Sequence, residues 1–210
     1  MKVLALNGSA RKNGNSATML KSAMEGAKAA GAAPKLINLY DLNYKGCTGC
    51  EACKLLDGKS FGRCAQRDDL TPVLAEAIAA DVLLMASPIY WNDVTGMLRS
   101  FIERFWFPTL TYTKERKLLY PKRIKVGMIF TTNAPTEYYL NYYDSLVKTS
   151  SRIIGDTEYV TAADTWQFDD YSKYAADMFD VAAKKCRHEE VFPQECRKAY
   201  EMGKRLAAGE

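Results

Sequence analysis

Short apolar runs separated by amphipathic stretches dominate the chain. KVLALN (2–7), KLINLY (35–40), DVLLMAS (81–87), IKVGMIFTT (124–132) and TEYVTA (157–162) are each of strand length and largely apolar, the pattern of strands buried on both faces. Between them Leu20, Ala23, Met24 and Ala27 recur at i, i+3, i+4, i+7, as do Leu98, Phe101, Ile102 and Phe105. Each stripe predicts one buried helix face. Gly31 ends the first helix, Asp68 or Asp69 caps the helix before the third strand, and Pro193 opens a last helix carrying Cys196, Ala199, Tyr200 and Gly203. This alternation predicts an α/β fold, a doubly wound five-stranded parallel sheet in the order 2-1-3-4-5 with helices on both faces. Ligands in such folds sit beyond the strand C-termini, beside strand one.

A length of 210 residues suits a single domain, 1–210, with an extra helical segment at about 163–192 that the alternation does not explain. With 48% hydrophobic and 26% charged residues the composition is that of a globular protein, which excludes disordered and collagen-like classes. The longest apolar stretch, LAEAIAADVLLMA, is interrupted by Glu76 and Asp81, so no membrane span is expected. The N-terminal apolar run is too short for a secretory signal, and a cytoplasmic location is expected. Six cysteines in a reducing compartment point to thiols, metal ligands or redox chemistry rather than disulfides. A net charge of +4, dispersed along the chain, excludes a nucleic-acid footprint. The one basic concentration, KERKLLYPKRIK (114–125), reads as a solvated loop and strand edge or as a contact for a phosphorylated cosubstrate. The single histidine, His188, rules out a multi-histidine metal site and is expected at the surface between helices.

Three loops follow strands at the expected edge. GSARKNGNS (8–16) is a glycine-containing turn feeding a helix N-terminus, where unpaired N–H groups and the dipole favour an anion. Ser9, Asn15, Ser16 and Thr18 add donors and Arg11 a planar charged fork. A capped helix start with a solvated arginine uses the same residue types. Neither GxGxxG nor GxxxxGK[ST] is present, so the usual dinucleotide and nucleoside-triphosphate loops are absent. SPIYWNDVTG (87–96) offers Pro88, Ile89, Tyr90, Trp91 and Asn92, with flat aromatic surfaces suited to a heterocycle, and Thr131, Thr132 and Asn133 lie after the fourth strand. Tyr138, Tyr139, Tyr142 and Tyr143 form helical stripes that predict core or subunit-interface packing.

On these loops the chain resembles the NAD(P)H-dependent FMN reductases of the flavodoxin-like superfamily, including their iron–sulfur flavoprotein branch. The family's G-S-x-R-x-x-G-N-[ST] is met by Gly8, Ser9, Arg11, Gly14, Asn15 and Ser16, and its S-P-I-Y-[WF] by Ser87 through Trp91. The resemblance spans about residues 1–135, continues more weakly in the last helix and leaves 163–192 unplaced. It implies that Ser9, Arg11, Asn15, Ser16 and Thr18 hold the FMN phosphate end, that Pro88 to Asn92 line the isoalloxazine, and that Thr131 to Asn133 close its other side. It further implies ping-pong hydride transfer through flavin N5 from NAD(P)H to a quinone, azo or nitro compound or free flavin, with no protein acid or base required. The expected assembly is a homodimer or homotetramer, with no nucleic-acid or membrane partner. The alternative is a flavodoxin-like or iron–sulfur flavoprotein electron carrier; the positive net charge argues against an acidic carrier.

GCTGCEACK (46–54) admits an iron–sulfur cluster, a redox dithiol, a zinc site or plain packing. Cys64 is the natural fourth ligand to Cys47, Cys50 and Cys53. The resemblance to iron–sulfur flavoproteins implies a short last gap, whereas ten residues separate Cys53 from Cys64. Cluster-free relatives share a C-x-G-C-x-x-C and G-x-C-x-x-x-D-D pattern, met by Cys47, Gly49, Cys50, Cys53, Gly62, Cys64, Asp68 and Asp69. No metal is the favoured reading; a [4Fe-4S] cluster, if present, would use Cys47, Cys50, Cys53 and Cys64.

Overall fold

A computed structural model describes residues 1–209. The elements are β1 (Val3–Asn7), α1 (Asn15–Ala29), β2 (Lys35–Asn38), α2 (Leu70–Ala79), β3 (Val82–Tyr90), β4 (Asp93–Val94), α3 (Gly96–Trp106), β5 (Lys125–Thr131), α4 (Leu140–Ile153), β6 (Thr157–Ala162), α5 (Val181–Glu190) and α6 (Phe192–Ala208). The parallel strands run in the order β2-β1-β3-β5-β6. That is the expected order and a flavodoxin-like sheet, with one addition: β4 pairs antiparallel with the end of β3, making six strands rather than five.

Because successive side chains on a strand point to opposite faces, the apolar runs feed two cores. Leu4, Leu6, Leu83, Met85, Val126, Met128 and Phe130 face α2, α3 and α4. Val3, Ala5, Val82, Leu84, Ala86 and Ile129 face α1 and α6. These two helices approach closely at glycines: a Cβ on Gly26 would lie 1.9 Å from Tyr200 O, and one on Gly203 1.9 Å from Ala23 O. Gly31 follows the end of α1 at φ +83, a conformation that favours glycine. Asp68, not Asp69, serves the start of α2, its Oδ1 accepting from Leu70 N at 3.1 Å.

The tyrosine stripe splits. Tyr143 is fully buried and stacks on Phe130 (4.7 Å, 5°), whereas Tyr138 is exposed. The basic stretch reaches the opposite, N-terminal edge of the sheet, where Lys122 pairs with Asp81 and Arg123 donates to Ser151 O. These two residues are therefore remote from the loops that would meet a cosubstrate. The segment 163–192 is a loop with one short 3-10 turn (Tyr171–Lys173) followed by α5. Among the described residues no helix is long and apolar enough to cross a membrane.

Candidate active site

Where β1, β3, β5 and β6 end, their loops surround a cavity of about 740 Å³, within the usual size range for a small-molecule or cofactor site. Ser9, Arg11, Asn13, Gly14, Asn15 and Ser16 line one part, Pro88, Ile89 and Tyr90 another, and Thr131, Thr132 and Asn133 a third. Thr18, Trp91 and Asn92, also singled out in the sequence, do not line it.

The first loop is shaped by its own side chains. Asn7 Oδ1 accepts from Ser9 N at 3.0 Å, and the buried Ser9 accepts from Arg11 N at 3.1 Å. Gly14 occupies the N-cap of α1 without a capping side chain, leaving the first-turn N–H groups uncapped by it. The hydroxyls of Ser16 and Thr131 meet at 2.6 Å, joining α1 to β5. Thr95, the N-cap of α3, donates to Gly8 O at 2.6 Å and accepts from Leu98 N, so the loops after β1 and β3 share one anchor.

The second loop differs from a simple turn. β3 continues through Pro88 to Tyr90, and the chain reverses at Trp91 and Asn92, both left-handed (φ 50 and 62), into β4. The reversal is locked from behind: Asp93 pairs with Arg99, accepts from Tyr142 OH at 2.5 Å, and Tyr142 accepts from Val94 N at 3.0 Å. Burial opposes ionisation of Asp93, but the bonds from Arg99 and Tyr142 outweigh it and hold the carboxyl below its usual range. Trp91 is left 99% exposed at the tip.

The remaining wall lies in the segment that the sequence left unplaced. Thr165, Trp166, Gln167, Phe168, Asp169, Tyr174 and His188 line the cavity. Thr165 bonds Thr132 O through both its N and its hydroxyl (3.1 and 3.2 Å), continuing the β5–β6 edge into a strap. The strap is fastened to the first loop by Arg11 Nη1 to Gln167 O and Asn15 Nδ2 to Trp166 O, each 2.8 Å. His188 is not a surface residue between helices. It lies within α5, stacks on Phe192 at 5.4 Å, and its Nδ1 is buried without a hydrogen-bond partner. The alternating aromatic and polar letters of DTWQFDDY were the only available sign of this wall.

The chemistry of the donor set fits FMN. Hydroxyls, an uncapped helix start and Arg11 form a cradle for an anion, and Pro88, Ile89 and Tyr90 offer an apolar surface in the same cavity.

The four cysteines line a separate narrow cleft with Glu103 and Arg104. Cys64 Sγ accepts from Arg104 Nε at 3.3 Å, and burial raises the Cys53 thiol pKa. Among the described residues no group of three or more His, Cys, Asp or Glu side chains is disposed to hold a metal ion.

The model of the NADPH-dependent FMN reductase family matches residues 1–134. The chain belongs to this family. Curated relatives include an iron–sulfur flavoprotein of Archaeoglobus fulgidus, 36% identical over 104 residues (50% of this chain, 48% of the relative). Another is a putative NAD(P)H-dependent FMN-containing oxidoreductase, YwqN, of Bacillus subtilis, 27% identical over 110 residues (52% and 54%). The chain spans about half the length of the curated relatives it matches. Among solved structures, the NAD(P)H:quinone oxidoreductase from Methanothermobacter marburgensis aligns with a TM-score of 0.66 at 16% identity, over 98% of this chain and 96% of that one. An FMN-dependent NADH-azoreductase from Bacillus anthracis in complex with FMN gives 0.66 at 17%, over 98% and 99%. At such identities these likenesses speak for the fold.

Proposed function

We propose that the protein is an FMN-dependent NAD(P)H oxidoreductase that reduces a small acceptor such as a quinone, an azo or nitro compound, or free flavin. The carrying observation is one cavity combining an anion cradle (Ser9, Arg11, Asn15, Ser16) with an apolar surface (Pro88, Ile89, Tyr90) at the C-terminal edge of the sheet. Bound FMN would supply hydride acceptance and two-electron storage. The chain's own residues bind, orient and shield: the first loop takes the phosphate, the β3–β4 hairpin one side of the ring, and Thr131 to Asn133 the other. NAD(P)H and acceptor then use the same opening in turn, a ping-pong order. The quinone- and azo-reducing proteins of the same fold support this class of acceptor. The cysteine cleft is read as a thiol-bearing loop without a cluster, because ten residues separate Cys53 from the fourth cysteine, Cys64. The fully exposed Trp91 and the exposed Tyr138 support a homodimer or homotetramer in which a second copy covers them.

The test is anaerobic stopped-flow mixing of FMN-loaded protein with NADH or NADPH. Bleaching of bound flavin within seconds is expected. Failure of both nucleotides to bleach it would replace the oxidoreductase by an electron carrier.

A further inference from the structure

Lys184 of α5 has only 3% of its side chain exposed. An ammonium so placed is costly unless its protons are used. Its Nζ pairs with Asp164, donates to Asn133 Oδ1 at 2.5 Å and to Thr165 O at 3.4 Å, and lies 4.8 Å from the centre of the Phe179 ring. The Asp164 carboxylate neutralises it, so its effect on the cavity does not come from net charge.

The effect comes through orientation. A side-chain amide has an accepting end and a donating end, and only the oxygen can face a cation. Asn133 must therefore give Oδ1 to Lys184 and turn Nδ2 away, where it donates to Gln167 Oε1 at 2.7 Å. With Oε1 taken, the end left to Gln167 is its donating Nε2. Asn133 and Gln167 both line the cavity, and Gln167 is held beside the first loop by the bond from Arg11 to its carbonyl.

We propose that Lys184 is a positioning residue: through Asn133 it fixes the amide of Gln167 as a donor, making the wall next to Arg11 selective for an acceptor-only group, the FMN phosphate. This rests on the FMN reading above. It assigns a function to a lysine in a segment outside the family match, and it explains why an ammonium is kept in the interior. An apolar side chain there would fill space but leave both amides free to turn.

The test measures FMN and riboflavin affinities of the full-length, flavin-stripped protein by flavin-fluorescence quenching. Lys184→Met combined with Asp164→Asn frees the relay without changing the net charge of the site. Gln167→Met removes the terminal donor, adds no charge and leaves Lys184 untouched. Each is expected to weaken FMN roughly tenfold to a hundredfold while riboflavin stays within about twofold. If FMN and riboflavin weaken together, or neither weakens, the inference is overturned. Should the double variant fail to fold, Gln167→Met decides by the same criterion. Arg11→Ala in the same series separates the two levels: if it discriminates FMN from riboflavin and these variants do not, only the role of Lys184 falls. If Arg11→Ala does not discriminate either, the phosphate assignment falls with it.

Discussion

Replacing Asp68 by alanine should destabilise the protein severely, and the geometry sets the size of the effect. The Arg104 side chain is fully buried. Its Nη1 reaches Asp68 Oδ2 at 2.5 Å and Lys45 O at 3.0 Å, its Nη2 reaches Asp68 Oδ1 at 3.0 Å, and its Nε meets Cys64 Sγ. Without the carboxylate a guanidinium remains buried on one carbonyl and one sulfur, a loss of about 3–5 kcal/mol. Asp68 Oδ1 also accepts from Leu70 N at the start of α2, adding about 1 kcal/mol. The sum, roughly 4–6 kcal/mol, approaches the whole stability of a small domain. At about 2–4 °C per kcal/mol it lowers Tm by roughly 8–24 °C. Thermal and urea unfolding of both proteins at pH 7 would measure it. The pH dependence has a definite sign. Burial raises the Asp68 pKa, but the bonds from Arg104 outweigh it and hold the folded value below the ordinary one. The stabilisation is thus complete above the unfolded carboxylate pKa of about 3.9 and is lost as pH falls through the folded value. The gap between parent and variant should hold on acidification from pH 7 to about 4 and narrow only below it. A loss under about 1 kcal/mol at pH 7, with an unchanged denaturant slope, would refute the reasoning.

Arg11→Ala should weaken FMN but not riboflavin; a charge-assisted contact of about 1.5–3 kcal/mol corresponds to roughly 12- to 150-fold, and the exposed position of Arg11 favours the lower end. Equal losses for the two flavins would remove its phosphate role. Protein purified without oxygen should hold well under four irons per chain, and Cys50→Ser should keep FMN; about four irons and four sulfides per chain, lost on that substitution, would reverse the cluster-free reading. Gly203→Ala should push α6 off α1 and cost about 1–3 kcal/mol or more, since its Cβ would meet backbone. An unchanged Tm would show that the helices part freely.

The sheet was legible because its strands are buried on both faces, so KVLALN and DVLLMAS leave little alternative to central parallel strands. The first loop and the Thr131 to Asn133 turn were legible because fold class fixes where strand ends converge. β4 was not. Two residues carry no periodicity, and the reversal depends on Trp91 and Asn92 accepting left-handed backbone with Arg99 of α3 and Tyr142 of α4 bracing Asp93. The segment DTWQFDDYSKYAADMFD (164–180) could be read as covering a flavin or clasping a second subunit, and the letters did not choose, because the strap's position comes from bonds to Thr132, Arg11 and Asn15, more than thirty residues away in sequence. Lys184 and His188 sit in an otherwise polar helix, where nothing in the letters separates a buried lysine or histidine from a solvated one.

The cavity straddles the limit of the family match at residue 134. Its floor and first loop come from the shared half of the chain, its far wall from residues 165–188. The first loop and the far wall of the cavity are therefore drawn from separable stretches of sequence. Beyond residue 134 the chain contributes only β6 to the central sheet, and the two parts meet at the cavity through a few polar bonds: Arg11 to Gln167, Asn15 to Trp166 and Thr165 to Thr132. A lineage that kept those fasteners would be free to rewrite the aromatic letters between them, reshaping one side of the cavity over an unaltered first loop.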